Sequence, residues 1–302
     1  MAHPGRQRGE DEALRILVTA ARGKTGRRVI AALQRQIPDV SIRALSRGGF
    51  DGPGVEAIAG DMDDPAVRAG AVAGMDVVIH YAPAMHPREV AMGTGMIDAA
   101  VAAGVQRFIF ISVIHPEIED LLNHQAKLRI EAHLINSGIE WTVLRPQHYF
   151  QNVDVQGAVS QAALHMPYPP ETRLGHVDMA DLADAVALVA AGANHAYATY
   201  DIASSEHVTV SDLCAIIAEQ SDSSVAAREV SPADLVARIS ARHHLTAYSE
   251  EAFHRLFGYY GRRGIQGNSN VLTWLLGRPP GTFRDYVARC LAGREGPVGN
   301  AG

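Results

Sequence analysis

The chain has 302 residues, 47% of them apolar and 20% charged. That composition is ordinary for a globular protein and excludes a disordered chain, a collagen-like repeat and a small disulfide scaffold. Basic residues number 27 against 33 acidic, a net charge of −6, which disfavours clamping nucleic-acid phosphates or lying on an anionic membrane.

Residues 1–12 (MAHPGRQRGEDE) are polar, lack an apolar targeting core and read as a frayed tail. From there the first half alternates strands with helices. Arg15–Thr19 (RILVT) is an apolar β-rich run, followed by a glycine-containing turn and an amphipathic helix over Thr25–Gln36. Further strands are expected at Val40–Leu45, Asp76–Tyr81, Arg107–Ser112 and Trp141–Leu144, with helices over Pro65–Val72, Arg88–Ala103 and His124–Ser137. Gly104 and Gly138 stand where helix-ending glycines belong. Continuous apolar strands alternating with helices mean an α/β fold, a doubly wound parallel sheet covered on both faces.

The second half is less regular. Helices are expected at Asp178–Ala191, Thr209–Gln220, Ser231–Ser240, Ser249–Phe257, Asn270–Leu276 and Thr282–Leu291, with a sixth strand at Ala198–Ile202. The division is therefore a tail (1–12), a nucleotide-binding core (13–150), and a segment (151–295) that completes the sheet and forms a small, mostly helical substrate lobe. The Ala-rich stretch near Leu182–Ala191 contains Asp184 and is too short to span a bilayer. Cys214 and Cys290 lie in helical stretches and read as buried reduced thiols, which fits a cytoplasmic location.

The strongest single feature is the turn after the first strand, Thr19-Ala20-Ala21-Arg22-Gly23-Lys24-Thr25-Gly26. Its spacing matches the last two glycines of a G-x-x-G-x-x-G loop, with Ala20 in place of the first. Small residues are needed where backbone amides at a helix N-terminus approach a pyrophosphate. Gly23 permits that approach and Gly26 close helix–strand packing, whereas Ala20 strains the turn if its φ must be positive. An ordinary βα turn is the plainer reading, but its place between first strand and first helix favours a nucleotide site. The second strand runs out into Ser46-Arg47 with no acid to accept from a ribose hydroxyl. A guanidinium there suits a 2′-phosphate, and Arg22 and Lys24 add charge, so NADP(H) is expected over NAD(H).

The stretches RILVTAARGKTGRRVI, VSIRALSR, AIAGDMDDP, DVVIHYAP, GMIDAAVAAGVQRFIFIS and GIEWTVLRPQHYFQN resemble atypical short-chain dehydrogenase/reductases of the NmrA-like type. The closing GNSNVLTWLLGRPPGTFRDYV resembles the end of bacterial members, so the resemblance spans roughly residues 14–290. It implies an NAD(P)-binding Rossmann fold. It also implies Asp61 and Met62 beside the adenine, Tyr81, Ala82 and Pro83 along the path to the nicotinamide, and Pro146, Gln147 and Tyr149 flanking nicotinamide and substrate. For the Asp61 segment, an Asp cluster capping the next helix is the competing reading.

The reactive centre departs from the short-chain pattern of Ser plus Tyr-x-x-x-Lys. Ser112 fills the Ser position and Lys127 the Lys position, where it would also hold the ribose. Asn123 stands where Tyr would be and cannot ionise, so the standard proton donor is missing. His115 and His124 are the candidate replacements, with His80 and His133 less well placed; surface or packing roles compete for all of them. Tyr168 in a Pro-rich connector and the Tyr259-Tyr260 pair are further hydroxyls, read more readily as packing. Metal-ligand spacing is missing around these histidines.

Three functions remain open. The first is an NADP(H)-dependent oxidoreductase acting on a small carbonyl, enone or quinone-like molecule. The second is a catalytically silent NADP(H) sensor with a protein partner, and the third a redox-neutral isomerase or cyclase. A small-molecule substrate is the expected partner, with no nucleic acid or membrane; a homodimer would be common for a crevice enzyme of this size.

Overall fold

The computed structural model describes residues 13–295; the expected tail lies outside them. In the first half the elements are β1 (Arg15–Val18), α1 (Lys24–Gln36), β2 (Ser41–Ser46), β3 (Val55–Ala59), α2 (Pro65–Val72), β4 (Val77–His80), α3 (Glu89–Ala102), β5 (Arg107–Ile111), α4 (Leu122–Ile135) and β6 (Glu140–Pro146). The second half begins with β7 (His148–Tyr149), a 3-10 turn (Phe150–Asn152), α5 (Val155–Ser160), β8 (Ala163–Met166), β9 (Arg173–Val177), α6 (Met179–Ala191) and β10 (Ala198–Ile202). It closes with β11 (His207–Thr209), α7 (Val210–Ser221), β12 (Ala226–Glu229), α8 (Pro232–His243), α9 (Ala247–Arg263), α10 (Asn270–Leu276) and α11 (Phe283–Leu291).

Seven strands make one parallel sheet in the order β10-β6-β5-β4-β1-β2-β3. The doubly wound α/β architecture follows from the alternation of side chains along each strand. Ile16 and Val18 pack with Val29, Leu33, Leu182 and Val186 on the α1/α6 face. Leu17 packs with Val72, Met96, Ile97 and Leu134 on the opposite face, under α2, α3 and α4. Strand order reverses between β1 and β4, and a doubly wound sheet opens its ligand crevice at the strand C-termini at that reversal.

The sequence did not mark β3, an edge strand exposed at Glu56, Ala57 and Ala59 with little apolar pattern to reveal it. The lobe is also less helical than expected. It carries a three-stranded sheet, β11-β9-β7, and a two-stranded one, β12-β8, both from strands of two to five residues. Such strands are too short for a period-2 signal. Their shared core gathers Phe150, Tyr168, Phe257, Tyr260, Phe283 and Tyr286. Side-chain caps start several of the lobe helices. Thr209 and Thr282 each form a reciprocal capping box, and Ser231 caps α8 with Pro232 at its first position. Thr246 rather than Ser249 caps α9, so that helix begins earlier than expected. Gly104 and Gly138 have φ of +71° and +81°. Cys214 and Cys290 are buried free thiols. Among the described residues no helix is long and apolar enough to cross a membrane.

Candidate functional site

The glycine turn leaves the C-terminal end of β1, and Tyr81-Ala82-Pro83 leaves that of β4, so both flank the strand-order reversal. Ala20 sits at φ +46°, the left-handed conformation that the missing glycine would have taken freely. A Cβ on Gly23 would lie 3.2 Å from the Ala20 carbonyl oxygen, and one on Gly26 would lie 2.7 Å from the Ala21 Cα. The turn is therefore drawn tight, as a backbone cradle for an anion must be, and α1 starts within it at Lys24. Thr25 is buried, and its hydroxyl meets that of Tyr149, whose ionisation burial pushes well above the usual tyrosine range. Burial lowers the Lys24 pKa, with Arg28 adding to the effect.

Basic groups border the turn. Arg47, just past β2, is exposed and makes no hydrogen bond or ion pair among the described residues. Arg22 is exposed too, its Nη1 reaching the Gly48 carbonyl at 3.4 Å. Arg27 is already occupied, paired with Asp51 at 3.1 Å and resting over the Phe50 ring. Beyond β3, Met62 is buried while Asp61 is exposed and accepts from the Asp63 amide at 2.9 Å. Asp64 caps α2 through the Ala66 amide, as the capping reading of this acidic cluster expects.

Three residues of α4 at four-residue spacing, Asn123, Lys127 and Glu131, are buried and define the wall facing β4 and β5. Lys127 is 4% exposed. Its Nζ lies 5.3 Å from the centres of both the Tyr81 and Phe110 rings and 2.8 Å from the Glu89 carboxylate, itself 1% exposed. Asn123 Oδ1 and His80 Nε2 are also buried, without hydrogen-bond partners among the described residues. Glu89 is a residue that the sequence reading missed. Position 89 reads as one more acid in the first turn of a helix, and only the fold turns it inward.

The other catalytic candidates are redirected by their contacts. Ser112 donates to Glu131 Oε1 at 2.5 Å, and Glu131 also holds Arg145 through a 2.6 Å ion pair, so this hydroxyl is committed to a buried charge. His124 is fully buried. Its Nδ1 meets the His115 carbonyl at 2.8 Å and its Nε2 the Tyr260 hydroxyl at 3.4 Å. Burial pushes its pKa down to about 4, so it stays neutral and is no proton donor near pH 7. His115 is exposed at φ +50°, its Nε2 on the Gln266 carbonyl at 2.7 Å. His133 pairs with Asp98 on the surface.

Of the residues after β6, Pro146 is buried and its carbonyl accepts from the Ile114 amide. Gln147 is turned into the seam with the lobe, its Oε1 on the Ser204 amide at 3.1 Å and its Nε2 crowded against Gly175 and Gly267. Tyr168 is packed beside Phe257 and Tyr260, with burial raising its ionisation. Lys127 thus lies against the ring of Tyr81, whose backbone is held by the Thr19 hydroxyl at the start of the turn, while Ser112, His124 and Gln147 are engaged by other partners.

Comparison with known proteins finds relatives over most of the chain. A chain from Escherichia coli K12, quinone oxidoreductase 2, is 24% identical over 279 residues, covering 90% of this chain and 97% of its own. The crystal structure of an E. coli NADPH-dependent quinone oxidoreductase complexed with NADPH superposes with a TM-score of 0.76 at 24% identity, covering 91% of this chain and 99% of its own. The structure of NmrA, a negative transcriptional regulator, gives 0.73 at 15% identity over 91% of this chain and 95% of its own. The model of the NmrA-like family matches residues 12–274; the chain belongs to the NmrA-like family.

Proposed function

We propose that the chain is an NADP(H)-dependent oxidoreductase acting on a small carbonyl, enone or quinone-like molecule, in the cytoplasm. One observation carries the reading: a buried ammonium, Lys127, lies against the Tyr81 ring just past β4, on one side of the strand-order reversal, while the tight glycine turn leaves β1 on the other and Arg47 follows the neighbouring β2. The E. coli relative and the NADPH complex support a nicotinamide cofactor. The residues fit that group. The turn approaches a pyrophosphate through backbone alone, Arg47 and Arg22 are placed for a 2′-phosphate, and Asn123 Oδ1 offers a buried acceptor without a partner.

When bound, the nicotinamide supplies a hydride. Lys127 would hold a ribose hydroxyl, and its ammonium would supply the proton for the substrate oxygen, since Asn123 cannot ionise. Tyr81 and Phe110 exclude water from that ammonium, which strengthens its electrostatic effect. The test is spectrophotometric: purified protein should oxidise NADPH in the presence of a quinone panel and bind NADPH more tightly than NADH.

A silent NADP(H) sensor is the second reading, favoured by Asn123 at the tyrosine position and by the likeness to the NmrA regulator. Tight NADPH binding without turnover on any acceptor would select it.

A further inference from the structure

Glu89 is the one carboxylate paired with Lys127 among the described residues, and nothing about its position on α3 requires it to be there for the helix. A first-turn acid favours the helix dipole equally well from solvent. Taking both charges out of water is expensive, and a neutral pair of similar size would fill the same space at lower cost. Beside the pair, Asn123 Oδ1 and His80 Nε2 are buried without hydrogen-bond partners among the described residues. His80 cannot replace the carboxylate. Its Nδ1 is 3.0 Å from the Thr19 hydroxyl, and burial lowers its pKa to about 3, so it stays neutral.

We propose that Glu89 is a positioning residue, drawing the Lys127 ammonium between Tyr81 and Phe110 and holding it where it meets the dinucleotide and the substrate oxygen. This rests on the dinucleotide reading above and assigns a task that the Ser, Tyr and Lys pattern does not contain. The groups bearing on Glu89 are Lys127, His86 and the Met85 backbone amide from the loop before α3, and the phenol of Tyr248 from α9. Those bearing on Lys127 from the other side are His80 and His124. Lys127 is the one permanent cation among them, so removing the carboxylate leaves the ammonium without a counter-charge.

The experiment is a double-mutant cycle on the full chain with Glu89→Gln, Lys127→Met and both together, read by NADPH fluorescence titration and by quinone turnover from neutral to alkaline pH. Glu89→Gln should weaken NADPH binding and turnover by about tenfold while Lys127 is present, and by less than about twofold in the Lys127→Met background. The alkaline limb of the turnover profile should move to lower pH, and Glu89→Asp should recover part of the loss. The double variant carries no charge at this pair and serves as the folding control, checked by thermal unfolding. Equal losses in both backgrounds, or no loss in either, overturn the proposal. Failure of the wild-type chain to turn over any quinone removes the oxidoreductase reading alone, because the binding cycle still judges Glu89. A wild-type chain that does not bind NADPH overturns both.

Discussion

The Ser112 hydroxyl ends on the Glu131 carboxylate at 2.5 Å, and the same carboxylate holds Arg145. A side chain at the position of a short-chain reductase's catalytic serine is thereby part of a buried charge network. Ser112→Ala should cost about 1.5–3 kcal/mol of stability, the worth of a hydrogen bond to a charged group. Turnover and NADPH affinity should stay near wild type. Urea unfolding and steady-state kinetics on one preparation check both, and a drop in turnover of about a hundredfold or more would return Ser112 to catalysis.

Arg47 is the charge most available to a 2′-phosphate. Arg47→Ala should weaken NADPH binding by roughly ten- to a hundredfold while leaving NADH binding unchanged. Calorimetric titration with both dinucleotides measures the ratio. Equal loss for both would place Arg47 on a part of the molecule they share.

Backbone strain in the glycine turn gives a prediction of opposite sign at two neighbouring positions. Ala20→Gly relieves a left-handed alanine at φ +46° and should stabilise the fold by about 1 kcal/mol. Gly26→Ala places a Cβ 2.7 Å from the Ala21 backbone, should destabilise by about 1–3 kcal/mol, and should impair NADPH binding as the turn shifts. Thermal unfolding of both variants tests the pair.

Three buried histidines and the half-buried His148 should make the protein acid-labile. His80, His124, His148 and His176 are pushed down to about 3, 4, 4 and 3 by burial. In the unfolded chain each takes up its proton near pH 6.5. The unfolded state then binds more protons, so stability is full above about pH 6.5 and falls as pH drops toward the native values, by up to about 1.4 kcal/mol per pH unit for each histidine. Urea midpoints between pH 7 and pH 5 should show this slope, and His124→Asn should flatten it by one proton's worth. A midpoint independent of pH over that range would contradict the assignment of neutral, buried imidazoles.

The α/β plan was legible because five of the sheet's strands are central and apolar, and glycines at 104 and 138 mark where α3 and α4 give way to the next strand. What was not legible depended on contacts made across the fold. β3 is half solvated, and the lobe strands take their pairing from distant segments. The site divides in the same way. The tight turn, Arg47 and Lys127 could be found because their residue types and spacing report backbone geometry or charge. Ser112 and His124 matched by position, yet their partners, Glu131 and Tyr260, come from other elements and change what those side chains can do. Glu89 has no local signature, since its burial depends on how α3 meets α4 and β5.

The seventh strand of the sheet, β10, joins β6 from Ala198 to Ile202, although β6 ends at Pro146. During synthesis the intervening fifty or so residues emerge at ~5–20 per second, so the growing chain holds an unpaired edge for roughly 3–10 s. That edge contains Trp141-Thr142-Val143-Leu144, a run able to pair with another chain. Glu140 and Arg145 bracket the run with charges of opposite sign, which guards a nascent protein during the interval before its own strand arrives.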